Sequence, residues 1–495
     1  MSTFDEYKVL RNRVRKYDTL SIVLLCINKL HEISKKAVHE NGGYYPWHLL
    51  YLIKIAFLEG GKNGNKRATM GDVNNALNDI NHLGRDSRFL EGDERSLRKF
   101  LRTVAFQQFW FQRQISSFDL ARQLVIFEGD AAAELNDQFL TTTGLEINTF
   151  LQMLIAAWSG FIDNSDRRHI TRGWFAPLGF NEGVIDSFFN LVSLPVECTF
   201  DFFERHYETT DDKLLQLTEQ TPLKQYPFLQ INENYHCYSP YVLQEKIKHA
   251  IYDILKGAYP RRFPQAFGVL FESYIIRLMD ENDIAYIPEA RLKEIFPNKK
   301  VCDAVIELDD AVVLIEIKGV EMHPYARINP TNAVLNRELE SSIVKSFKQI
   351  YEVGNLLTTT DQGRALLNNR EIFALVVTYK EMYLSDGLDV WEEFISEPLL
   401  QYLTPRDMNI DCIPLRNIIF ASASAFEQLM KIVVANGNII SQVLRRAVED
   451  NAIPETKKYL LEMHLGSYPQ QPLRFLEEIF DNVTEELEAK LSHQV

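Results

Sequence analysis

A chain of 495 residues is longer than one ordinary domain and predicts two or three. Its composition, 46% hydrophobic, 24% charged and 12% aromatic, is that of a soluble globular protein. The net charge of −15, from 68 acidic against 53 basic side chains, argues against a protein that coats nucleic acid nonspecifically, because phosphate neutralisation by cations supplies most of that affinity.

Residues 1–225 read as mainly helical. "YPWHLLYLIKIAFLEG" and "MGDVNNALNDINHL" carry apolar residues at three- and four-residue spacing. Between them "GGKNGNKRAT" (60–69) reads as a flexible surface loop; Asn65 stands where a Walker A loop needs its second glycine. The aromatic run "FQQFWFQRQ" (106–114) reads as core. After Pro227, "FLQINENYHCYSP" predicts a hairpin with a polar turn, followed by the helices "YVLQEKIKHAIYDILKG" and "QAFGVLFESYIIRLMDEN". A second hairpin is predicted across Asp309–Asp310 in "VCDAVIELDDAVVLIEIKG" (301–319). An amphipathic helix over 336–357 and the buried strand "IFALVVTY" follow, and helix returns from about 435. Helix, hairpin, helix, strand in succession predict an α/β core with a mixed sheet covered by helices. The expected organisation is a mainly α-helical domain over 1–225, an α/β domain over 226–435 and a C-terminal helical extension over 436–495. No apolar run approaches the roughly 18 residues of a membrane helix. The polar N-terminus and five scattered cysteines, without a CxxC or Cys/His cluster, point to a cytoplasmic protein with reduced thiols and no structural zinc.

Charges inside the second hairpin are the informative feature. With Asp309–Asp310 as the turn, pairing runs 308 with 311 and 303 with 316, so Asp303 and Glu316 become cross-strand neighbours with Cβ atoms about 5 Å apart. Two carboxylates so placed repel unless a proton or cation lies between them. A divalent metal is the natural resident, and Lys318, on the same strand face as Glu316, reaches the same place.

Asp303 followed by Glu316-Ile317-Lys318 resembles the signature of the PD-(D/E)xK nuclease superfamily, as do Glu272 on the preceding helix and Gly319 after the lysine. Residue 302 departs from it, being Cys and not Pro. The likeness covers roughly 260–380 and implies a restriction-endonuclease-like mixed sheet flanked by helices. It implies a Mg²⁺- or Mn²⁺-dependent endonuclease acting on DNA or RNA, tRNA included. Carried over residue by residue, Asp303 and Glu316 are metal ligands, the Ile317 carbonyl is a third, Glu272 is auxiliary and Lys318 is catalytic. In several branches of the superfamily a Lys or Gln on the following helix approaches the site; Lys345, Lys348 and Gln349 share one face here, and Gln349 is the choice, since Ile350 and Val353 turn its side inward. Glu321 and His323, just after the motif, read as structural, and Glu307 as surface charge.

Two other classes compete with this reading. Metal-free RNases of the HEPN type need R-x4-H, which none of the eleven histidines satisfies. A degenerate nuclease fold would serve as a protein- or nucleic-acid-binding module, but Asp, Glu and Lys are all present. A nuclease with a large extra domain and no ATPase motif looks like the regulated toxic effectors of bacterial defence against phage. That likeness implies a phage or host protein as activator at residues 1–225.

Overall fold

The helices read in 45–60 and 70–83 form as Pro46–Glu59 and Met70–Leu83, and Leu49 to Leu58 of the first are buried without interruption. The computed structural model describes residues 3–36, 38–83, 94–112, 115–162, 166–207, 216–329 and 331–492. Two units divide the chain, the first comprising 1–124, 133–258 and 479–495, the second 125–132 and 259–478. Arg113 and Gln114 of the aromatic run lie outside the described residues; Trp110 and Phe111 are buried, as the core reading expects.

In the first unit the Gly- and Lys-rich segment after Pro46–Glu59 is tied down, contrary to the flexible loop expected from its composition. Gly61, Asn63 and Lys66 donate backbone N–H groups to the carbonyls of Tyr17, Arg15 and Lys16, and Asp18 donates to Lys66. Backbone groups that leave a helix end need partners, and a neighbouring extended segment supplies them here. This unit also holds a small sheet of β1 (His169–Ile170), β2 (Ser193–Pro195), β3 (Phe228–Ile231) and β4 (Asn234–Cys237), in the order β1-β4-β3-β2. The hairpin β3–β4 turns at Asn232, whose positive φ of 53° suits asparagine. Expected to open the α/β domain, it pairs instead with β1 and, in parallel, with β2, and so belongs to the first unit.

The second unit is built on a five-stranded mixed sheet in simple order: β5 (Tyr286–Pro288), β6 (Ala304–Glu307), β7 (Ala311–Lys318), β8 (Glu371–Thr378) and β9 (Ile418–Ser422). β5, β6 and β7 run antiparallel; β7, β8 and β9 run parallel. Helices Phe263–Asp280, Lys345–Thr359 and Ala423–Asn436 pack on this sheet. Burial of both faces explains why β7 and β8 read as nearly unbroken apolar runs without alternation. The helical run expected over 336–357 contains a π-helical turn at Glu340–Val344, between Asn332–Leu339 and Lys345–Thr359. Charged residues at the far strand ends are spoken for: Arg370 holds Glu307, and Arg445 holds Asp310 and Glu371. The fold is thus mixed α/β, with two small mixed sheets flanked by helices. Among the described residues no single helix is long and apolar enough to cross a membrane.

Candidate active site at the open end of the β6–β7 hairpin

The hairpin register is 304 with 315 through 307 with 312, closed by the Leu308 N–H on the Ala311 carbonyl. Asp303 lies one residue before β6 and is fixed from both sides. Its N–H donates to the Ile315 carbonyl (3.1 Å), and its Oδ2 accepts the Ile317 N–H (2.6 Å). The carboxylate is thereby held against the segment Glu316-Ile317-Lys318.

Glu316 is 0% exposed. Lys318 Nζ donates to its Oε1 and, at 3.2 Å, to the Ile317 carbonyl, while Glu316 Oε2 is buried with no hydrogen-bond partner. Burial, reinforced by the charge of Asp303 and opposed by Lys318, pushes the Glu316 carboxyl up to about 8. Asp303 is also raised, chiefly by burial; Lys318, the Ile317 N–H and Lys345 pull the other way. The Cys302 thiol beside them is driven well above its ordinary value by burial and by both carboxylates.

Glu272 arrives from helix Phe263–Asp280. That helix sits close on the strand end because residue 319 is glycine: a Cβ there would meet the Gly268 Cα and the Phe267 ring at 3.1 Å. Gly319 therefore serves helix–strand approach, one helical turn before Glu272. The Glu272 carboxyl is half-buried and raised, first by that burial and then by Asp303 and Glu289, against Lys318 and Lys293. Gln349 makes its hydrogen bond to the backbone and not to a carboxylate. Its Nε2 donates to the Val301 carbonyl (3.3 Å), two residues before Asp303, and its Oε1 is buried without a partner.

Two neighbours carry no signal in the sequence, and a third, Lys345, is named there without a role. Glu289 and Lys293 lie on the short helix Glu289–Ile295, where they pair with each other at 2.7 Å, and the Glu289 N–H donates to the Asp303 carbonyl (3.0 Å). Lys345, on the same helix face as Gln349, is the helix residue whose charge acts on both Asp303 and Glu316. No motif marks Glu289 or Lys293; only the pairing of β5 with β6 brings them here. Of the residues after the motif, Glu321 is locked between Arg327 and Lys380, each at 2.9 Å, and His323 caps a short helix.

Among the described residues no group of three or more His, Cys, Asp and Glu side chains is placed to hold a metal ion. Any ion at this site would rest on the two carboxylates Asp303 and Glu316 and on the backbone oxygen of Ile317. Such an all-oxygen set suits Mg²⁺ or Mn²⁺, and the unpartnered buried Glu316 Oε2 fits a cation. Lys318 Nζ already rests on two of those oxygens, Glu316 Oε1 and the Ile317 carbonyl. Compared with protein-family models, characterised proteins and solved structures, the chain matches none.

Proposed function

We propose that the chain is a metal-dependent nuclease of the PD-(D/E)xK kind, with a restriction-endonuclease-like second unit and its chemistry at Asp303, Glu316 and Lys318. The observation that carries the reading is Glu316: a carboxylate with 0% exposure, one oxygen on Lys318 and the other unpartnered, beside Asp303. A strand that needed only packing gains nothing from such a residue, since a buried polar atom without a partner costs about 1–3 kcal/mol.

Asp303, Glu316 and the Ile317 carbonyl would hold the ion, which supplies a Lewis acid beside the scissile phosphate. With an ion held there, Glu316 would be ionised and Lys318 Nζ would be free to donate to a phosphate oxygen, where negative charge grows during displacement. Glu272, its carboxyl raised by burial, is suited to take a proton from the attacking water. Gln349 acts as a positioning residue, holding the backbone that leads into Asp303.

The test is incubation of the purified full-length chain with plasmid DNA, total RNA and tRNA, each with Mg²⁺, Mn²⁺ or EDTA, alongside Asp303→Ala. Cleavage with metal, absent in EDTA and in the variant, is expected. Full cleavage in EDTA would overturn the reading, and binding without cleavage under every metal would leave a binding module. As a toxic effector, the native chain would slow growth of a cell expressing it, and Asp303→Ala would not.

A further inference from the structure

In a chain of net charge −15, three cations gather around one aromatic ring in the second unit. The ring is Tyr402, on helix Ser396–Leu403. Lys300, just before β6, Lys348, on helix Lys345–Thr359, and Arg406, beyond Tyr402, have their charged ends 5.4, 5.4 and 3.9 Å from its centroid. Lys300 Nζ also donates to the Tyr402 hydroxyl (3.3 Å), and Arg406 Nη1 donates to its carbonyl (2.8 Å). The hydroxyl in turn donates to Glu352, the carboxylate at this spot. Among the described residues none of the three cations stands in an ion pair. Lys300 and Arg406 are exposed and Lys348 is half-buried.

The patch is continuous in sequence with the candidate active site. Lys300 is three residues before Asp303, at most about 10 Å of extended chain. Lys348 is one helical turn after Lys345, whose charge acts on Asp303 and Glu316, and adjoins Gln349, which holds the Val301 carbonyl.

We propose that Lys300, Lys348 and Arg406, arrayed on Tyr402, are a phosphate-binding track that seats the nucleic-acid backbone beside Asp303 and Glu316. This rests on the nuclease reading above and supplies the local basic surface that an acidic nuclease requires. Charge complementarity selects a polyanion, and the short chain link from Lys300 to Asp303 suits one whose backbone runs on past the scissile bond. Arg406 covers a face of the Tyr402 ring, so contact is with phosphates and independent of sequence.

The test measures binding of labelled DNA and RNA oligonucleotides in EDTA, where no metal-dependent cleavage occurs, across a salt series. The chain carrying Lys300→Gln, Lys348→Gln and Arg406→Gln is expected to bind more weakly, with a log K against log salt slope shallower by about two to three. Lys348→Gln alone should remove about one. Lys300→Arg with Lys348→Arg should bind as the native chain does. So should a control with Arg291→Ala, Arg364→Ala and Arg474→Ala, each of which removes a cation already paired with a carboxylate. A native slope in the triple Gln chain, or an equal loss in the control or the Arg chain, overturns the track. If the triple Gln chain binds and, with Mg²⁺, cuts as the native one does, the track alone falls. If the native chain neither binds nor cuts, the nuclease reading falls first and the track with it.

Discussion

Two acidic pairs in the second unit invite comparison, each with one lysine beside it. At the end of β7, Lys318 holds Glu316 beside Asp303; at the helix Gly387–Val390, Lys457 holds Asp389 beside the N-cap Asp386. Burial raises the carboxyls of Asp303, Glu316 and Asp386 alike, so perturbed acidity does not separate the two places. Their backbone roles do. Asp386 is a helix N-cap that accepts the Asp389 N–H (2.9 Å), with Arg416 3.7 Å from its other oxygen. Asp389 takes two contacts from Lys457 (2.7 and 2.6 Å) and one from the Ser385 hydroxyl (2.6 Å). Capping satisfies one Asp386 oxygen; the other, like Glu316 Oε2, is buried without a hydrogen bond, but it faces the Arg416 guanidinium. Glu316 caps nothing and closes no turn. It lies inside a strand, with one oxygen unpartnered. The residue that structure alone leaves unexplained is the better candidate for chemistry.

The largest contrast is expected in catalysis. Asp303→Ala and Lys318→Ala should each lower the metal-dependent cleavage rate by about 10³-fold, whereas Asp386→Ala should leave it within a few-fold. Initial rates on the preferred nucleic acid at saturating Mg²⁺ decide this, and an equal loss in Asp386→Ala would dissolve the distinction.

Stability against pH sharpens it next. The Glu316 carboxyl stands at about 8 against an ordinary 4.5, so in metal-free protein its contribution is full below about pH 4.5 and is lost as pH rises through about 8. Urea unfolding in EDTA should show stability falling over that interval by an amount on the order of a few kcal/mol, shared with Asp303 because the two titrate together. Glu316→Gln should flatten the fall and be the more stable chain at pH 8; an unchanged slope would mean that Glu316 is ionised throughout.

Mg²⁺ should restore what the carboxylates cost. At a concentration of about 100 Kd at pH 8 it should stabilise the native chain by about 2.7 kcal/mol, and the same concentration should do less at pH 6, with no such gain in Asp303→Asn. Thermal melts read this, and equal Mg²⁺ stabilisation of both chains would place the ion elsewhere. The smallest effect belongs to Asp386→Ala. Loss of the cap should cost about 1 kcal/mol of unfolding free energy, with the Mg²⁺ response intact.

Much of this was legible in residue order because it depends on local periodicity. The strand composition of "AVIEL" and "VVLIEIKG", with Asp309–Asp310 between them, sets a register that places 303 opposite 316, and the observed pairing of 304 with 315 has that register. The helix bearing Glu272 and the buried strand β8 follow from apolar spacing in the same way. What tertiary structure alone decided is set by pairing and packing between distant segments. The hairpin β3–β4 joined the first sheet because β1 and β2, more than thirty residues earlier, supply its partners. Glu289 and Lys293 reached the site through β5 pairing with β6, and Lys300, Lys348 and Arg406 met on Tyr402 from three segments that no short-range pattern links. Gln349 faces inward, as the apolar residues around it implied, yet its amide goes to the Val301 carbonyl, while Lys345 directs its charge to the carboxylates. Sequence determines which face of a helix turns inward; the atom a side chain there finally meets depends on the neighbour that the fold sets against it.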